Sequence, residues 1–266
     1  MSAALLSLVR PPKFSPTQSI RALKAILLAV SAEEFKMTDQ HIASAFDRDL
    51  EKIQAQIMKM GGLVENAILE AAVSLEERDE ERAEQVRRND KAIDALEESI
   101  NEEAARVIAL RAPAAIDLRV VLSVMKVSGN LERIGDYAKN LAKRTRILAH
   151  MEPMNGSASS LRRMAKEVER MLNDALDAYV SRDAELAQNV IDRDIVVDQM
   201  YNALFREFLT FMMENPSNIT SCMHLHFIAK NIERMGDHVT AIAEQVVYLV
   251  TGAMPDEERE KANTTV

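Results

Sequence analysis

Apolar residues recur along this chain at helical spacing. From about His41 the run Ile42, Ala45, Leu50, Ile53, Ile57, Met60, Val64, Ile68, Ala71 and Leu75 advances in steps of three to five, the signature of one buried helix face. It predicts a single long helix closing at Glu77-Arg78-Asp79, with Gly61-Gly62 inside it as a kink or a close packing point. A second helix follows from about Glu80 to Leu110, on the stripe Ala83, Val86, Ile93, Leu96, Ile100, Ala104 and Val107, until Pro113 stops it. A third runs from about Ala115 to Ala149. Glu152-Pro153-Met154-Asn155-Gly156-Ser157 is then the clearest linker in the chain. Beyond it the pattern starts again, with helices expected at about Ala158 to Val180, Asp183 to Glu214 and Ile219 to Val250.

Long, even helices joined by short turns predict an all-α fold of two tandem three-helix bundles related by an internal repeat. The expected domains are 37–151 and 158–252. Residues 1–36, with Pro11, Pro12 and Pro16, are expected to be a disordered lead, and 253–266 a frayed acidic tail. The short apolar run Ala25 to Val30 is a poor signal peptide, only six residues long behind a long polar lead. Met37 offers an alternative start.

Composition narrows the function classes. Tryptophan is absent and aromatics make up 4%, few of the residues that favour strands. A net charge of −9 opposes nucleic-acid binding, which relies on Lys and Arg neutralising phosphates. Cys222 is the only cysteine, so neither an intrachain disulfide nor a thiolate metal cage can form. No apolar run is long enough to span a membrane. No Ser/His/Asp arrangement, phosphate-cradling glycine loop or H-E-x-x-H motif is present, so an enzyme is not expected.

The chemistry lies in a repeated stretch. Asn130-Leu131-Glu132-Arg133-Ile134-Gly135-Asp136 returns 101 positions later as Asn231-Ile232-Glu233-Arg234-Met235-Gly236-Asp237. Glu and Asp stand four apart in each copy, so both carboxylates lie on one helix face, with roughly 6 Å between their stems. The adjacent Arg133 and Arg234 point about 100° away around the helix. Gly135 and Gly236, each costing about 1 kcal/mol inside a helix, leave a notch for an ion or for another helix. The second and fifth helices supply matching pairs, Asp90/Asp94 and Asp194/Asp198, and Asp90 and Asp194 interrupt apolar stripes.

Helices packed 8–10 Å apart can bring two such pairs onto one or more cations. Each pair either is solvated and salt-bridged or binds metal. Duplication, and the rule that buried carboxylates are paired or metal-bound, favour metal at Asp90, Asp94, Glu132, Asp136, Asp194, Asp198, Glu233 and Asp237. Oxygen-only ligands suit hard divalent or trivalent ions such as magnesium, manganese, calcium or iron. His226 and His238 lie near the second set and are expected to be satisfied or exposed.

The two L/I-E-R-I/M-G-D stretches, the extensions Asp136-Tyr137-Ala138-Lys139-Asn140 and Asp237-His238-Val239, Ala112-Pro113 followed by Asp117-Leu118-Arg119, and Phe46-Asp47 together resemble the PhoU family of bacterial regulators of phosphate uptake and signalling. The resemblance covers about residues 39–252. It implies two similar three-helix bundles whose E(D)-x-x-x-D motifs bind multinuclear metal, often iron. It also implies a cytoplasmic homodimer that couples the ATPase subunit of a phosphate ABC transporter to a sensor histidine kinase and represses the phosphate-starvation response. The second half lacks the Asp-Leu-Arg triplet. A carboxylate-bridged metalloenzyme and a metal-free helical adaptor are the competing readings.

Overall fold

A computed structural model describes the backbone of residues 16–154 and 156–255, and the side chains from 45 onward over the same span. Its elements are α1 (Pro16–Glu77), α2 (Glu80–Arg111), α3 (Ala115–Leu148), α4 (Ser157–Ser181), α5 (Ala184–Glu214), a single 3-10 turn (Pro216–Asn218) and α6 (Ile219–Thr251). Among the described residues there is no strand, and no helix is long and apolar enough to cross a membrane.

Five of the six helices begin and end within two residues of the expected bounds. The exception is α1, which starts at Pro16 instead of about His41. No glycine or proline stands between Pro16 and Gly61 to stop a helix, and proline itself is tolerated at a first helical position. Residues 16–36, expected to be lead, are therefore helical. Residues 1–15 and 256–266 lie outside the described residues. Among the described residues, those up to Arg48 fall in one unit and those from Asp49 in a second that contains both bundles.

Local chemistry explains the breaks. Arg78 and Arg182 adopt left-handed backbone, φ 57° and 55°, and each is followed by an aspartate that caps the next helix. Asp79 accepts from the Arg82 amide at 2.9 Å, and Asp183 from the Glu185 and Leu186 amides at 2.9 and 3.0 Å. The turn is thus repeated at an offset of 104 residues. Arg78 does more than its counterpart. Its guanidinium donates to the carbonyls of Leu148 (2.9 Å), Ala149 (2.8 Å) and Met151, placing positive charge on the C-terminus of α3.

Within each bundle the stripes meet in a core of fully buried side chains, among them Ile57, Ile68, Ile93, Leu131 and Ile134 in the first and Leu161, Val168, Val197 and Ile232 in the second. The bundles join through α3 against α6 and α1 against α4. Gly61 sits directly under the Leu176 side chain, where a Cβ would collide, so it is a packing point; Gly62 has open space around it. At the repeat offset of 104, the counterpart of Gly61 is Ala165 and that of Leu176 is Ala72, and both are buried.

Candidate metal-binding carboxylate clusters

On α2, Asp90 points inward and is only 3% exposed, while Asp94 one turn later is exposed. Glu132 and Asp136 on α3 are half-buried. The helix pair brings all four together: the charges of Asp94 and Asp136 reach Asp90, and those of Asp136 and Asp94 reach Glu132. Burial first, and then this mutual repulsion, raises the carboxyls of Asp90 and Glu132 above their ordinary values. In the second bundle Asp194, Asp198 and Glu233 are buried and Asp237 is half-buried. The Glu233 carboxyl is raised chiefly by burial, with Asp237 and Asp198 adding to the rise.

The glycine notch receives the buried aspartate of the neighbouring helix. A Cβ on Gly135 would stand 3.1 Å from Ile93 Cδ1 and 3.6 Å from Asp90 Oδ1; on Gly236 it would stand 3.2 Å from Asp194 Oδ1 and 3.4 Å from Val197 Cγ1. Both copies therefore use glycine to let α3 and α6 approach the helix that carries the acid. One residue type serves helix packing and the carboxylate face together.

Each cluster also holds a lysine absent from the sequence-based candidates. Lys139 Nζ pairs with Asp90 Oδ2 and lies 3.3 Å from Asp136 Oδ1. That bond to Asp90 raises the lysine's own pKa. Lys230 Nζ lies 2.6 Å from Glu233 Oε1 and over the ring of Tyr201, 5.2 Å from its centre. The scaffold repeats but the counter-charge does not: 101 residues from Lys139 stands Thr240, and from Lys230 stands Gly129. Each lysine is three residues from a motif acid, a spacing shared with many surface lysines.

Arg133 corrects a second expectation. Although its stem points away from Glu132, its length brings Nε to 3.5 Å from Glu132 Oε2 and Nη1 to 4.0 Å from Asp136 Oδ2. Its side chain is 62% exposed, so these contacts are weak. Across the α3–α6 seam the two repeats face each other. His238 Nδ1 meets Asn130 Oδ1 at 2.8 Å, the His238 and Tyr137 rings are 5.7 Å apart, and Arg234 reaches the Tyr137 hydroxyl at 3.4 Å. His238 is satisfied, as expected. His226 packs among Tyr201, Phe205 and Phe227, and its Nδ1 is buried without a hydrogen-bond partner.

Asp90 Oδ1 and Glu233 Oε2 are buried acceptors with no hydrogen-bond partner. These orphaned oxygens, the all-carboxylate donor set and the raised pKa values fit a hard cation in charge and donor type. As the side chains stand, no group of three or more His, Cys, Asp or Glu among the described residues is placed to hold an ion. Lys139 and Lys230 supply the positive charge instead. Both are part-exposed on flexible stems, 39% and 32%, and so can swing aside.

The chain matches the PhoU domain over residues 57–145 and again over 161–246, one match in each bundle. It is 47% identical to a phosphate-specific transport system accessory protein PhoU homolog of Zymomonas mobilis, over 83% of this chain and 93% of that protein. A protein of the same description from Caulobacter vibrioides is 41% identical over 84% of this chain and 96% of its own. The crystal structure of PhoU from Pseudomonas aeruginosa superposes with a TM-score of 0.76 at 38% identity, covering 78% of this chain and 100% of that one. The phosphate transport system regulatory protein PhoU from Streptococcus pneumoniae gives 0.73 at 31% identity, covering 79% and 99%. Two matched domains, near-complete coverage of the relatives and the same fold lead to one conclusion: this chain belongs to the PhoU family.

Proposed function

We propose that this protein is a negative regulator of phosphate uptake and of the phosphate-starvation response. It acts in the cytoplasm as a metal-binding homodimeric adaptor between the ATPase subunit of a phosphate ABC transporter and a sensor histidine kinase. The observation that carries this reading is its 47% identity, over 93% of the relative's length, to a phosphate-specific transport accessory protein. The acidic, all-helical frame, without a nucleophile-and-base arrangement in the sequence, supports an adaptor over an enzyme.

Asp90, Asp94, Glu132 and Asp136 would hold cations in the first bundle, and Asp194, Asp198, Glu233 and Asp237 in the second. A bound cation supplies charge that neutralises the repelling carboxylates. The chain's own residues do the remaining work: Gly135 and Gly236 set the helix separation, and Lys139 and Lys230 move off their acids into solvent. Regulation then follows from preference, since an adaptor biases a kinase or a transporter only by binding one of its states more tightly.

Deletion of the gene tests the reading. A phosphate-starvation reporter should become active in phosphate-rich medium, and the full chain should co-purify with the transporter ATPase subunit or the kinase from phosphate-rich cells. Normal repression in the deletion strain, with neither partner recovered, contradicts it.

A further inference from the structure

The internal repeat allows each groove of one bundle to be compared with its counterpart in the other. α1 aligns with α4, and α2 with α5, at the same offset of 104, so that the core residues Ile57, Met60, Val64, Ile68 and Ala71 match Leu161, Met164, Val168, Leu172 and Ala175. In the second bundle the groove between α4 and α5 is closed by Arg193. Its guanidinium donates Nη2 to Glu167 Oε1 at 2.8 Å and Nη1 to Asp174 Oδ2, bridging the two helices. In the first bundle the same three positions are Asn89, Leu63 and Glu70. One acid is kept, the other is replaced by leucine, and the arginine is replaced by a side chain too short to cross.

The consequence is a cavity of about 410 Å³ between α1 and α2, within the range of small-ligand sites. Leu63, Ala67, Val86 and Ile93 line it with apolar side chains, and Asn66, Gln85 and Asn89 with amides. Three carboxylates, Glu70, Asp79 and Glu81, also line it, against one guanidinium, Arg82. Arg82 is already engaged, with Glu70 at 3.2 Å, Glu77 at 3.4 Å and Asp79 at 3.6 Å. The lining thus combines apolar side chains with acceptors and with two more carboxylates than guanidiniums. A planar guanidinium, which stacks on its face and donates from its edge, matches that combination better than an ammonium does.

We propose that the α1–α2 groove receives an arginine side chain presented by a partner protein, in the place that Arg193 takes in the α4–α5 groove. Glu70, the counterpart of Asp174, is the anchor, and the incoming guanidinium shares it with Arg82, which already contacts it at 3.2 Å. The assignment rests on the repeat and on the lining of the cavity, and is independent of the regulator reading.

The test uses N-acetyl-arginine-N-methylamide as probe, with the capped lysine and capped leucine analogues beside it, followed on methyl resonances of the full chain. The arginine probe should shift Leu63, Val86 and Ile93 saturably, and at least fivefold more tightly than the lysine analogue. Glu70→Gln should weaken it at least fivefold. The double variant Leu63→Glu with Asn89→Arg rebuilds the second bundle's bridge, and should melt no lower than wild type while losing the response. Arg193→Ala should open the second groove and bring Val190 and Val197 into the same titration. No shift at all, equal binding of arginine and lysine, binding of the leucine analogue alone, or a full response in the rebuilt variant would each overturn the proposal.

Discussion

At the scale of single residues, the acids are held in a state that works against the fold. Burial keeps the Glu233 carboxyl above its ordinary 4.5, with Lys230 opposing the rise and Asp237 and Asp198 adding to it. The folded chain therefore keeps this proton to higher pH than the unfolded chain does. That stabilising contribution is present at low pH and is lost as pH rises through the folded value. Glu233→Gln removes the penalty, so in chelator its melting temperature should exceed that of wild type by a few degrees at pH 7.5, with the gap closing toward pH 4. A gap independent of pH would contradict the assignment. Asp90 and Asp194 could be found from sequence because each is a charge inside an apolar stripe. Lys139 and Lys230 could not, because a flexible four-carbon stem reaches its partner from positions that helical spacing alone does not single out.

Single elements show what repetition hides. Arg78 and Arg182 occupy the same turn with nearly the same positive φ, yet only Arg78 is seen to donate to the end of α3. Hydrogen bonds from a charged group contribute about 1.5–3 kcal/mol, so Arg78→Ala should lower stability by roughly that amount. Arg182→Gly should raise it by about 1 kcal/mol, because glycine relieves the left-handed backbone. Chemical denaturation of the two variants checks the pair; equal effects would show that the capping contacts contribute nothing. Helix ends were legible because Pro113, Gly156 and the two Arg-Asp turns carry local chemistry. The start of α1 was not, since the prolines at 11, 12 and 16 read as a disordered lead while Pro16 in fact begins the helix. The groove between α1 and α2 was equally hidden, because an asparagine in place of Arg193 becomes informative only once Glu167 and Asp174 are seen around that arginine.

For the whole molecule, the α3–α6 seam sets the two repeated motifs face to face, through Asn130 with His238 and Tyr137 with Arg234, so the two carboxylate clusters belong to one compact unit. The clusters themselves use separate residues. Changing Asp90, Asp94, Glu132 and Asp136 to their amides should remove part of any metal-induced stabilisation and leave the second cluster's part intact, readable as two steps in a calorimetric titration with manganese. A single variant cluster that silences both would mean one shared site. The architecture was legible from stripes and linkers, whereas the joining of the two bundles into one body was not, because Gly61, which packs against Leu176, reads equally well as a kink or as a packing point. The central proposal is that the eight acids are cation ligands. Its most direct test is the melting temperature of wild type and of the eightfold amide variant, each with and without manganese or iron(II). Ion at 100 times its dissociation constant contributes about 2.7 kcal/mol per site, so wild type should melt several degrees higher with metal and the variant should not move. Equal shifts in both proteins would contradict the account.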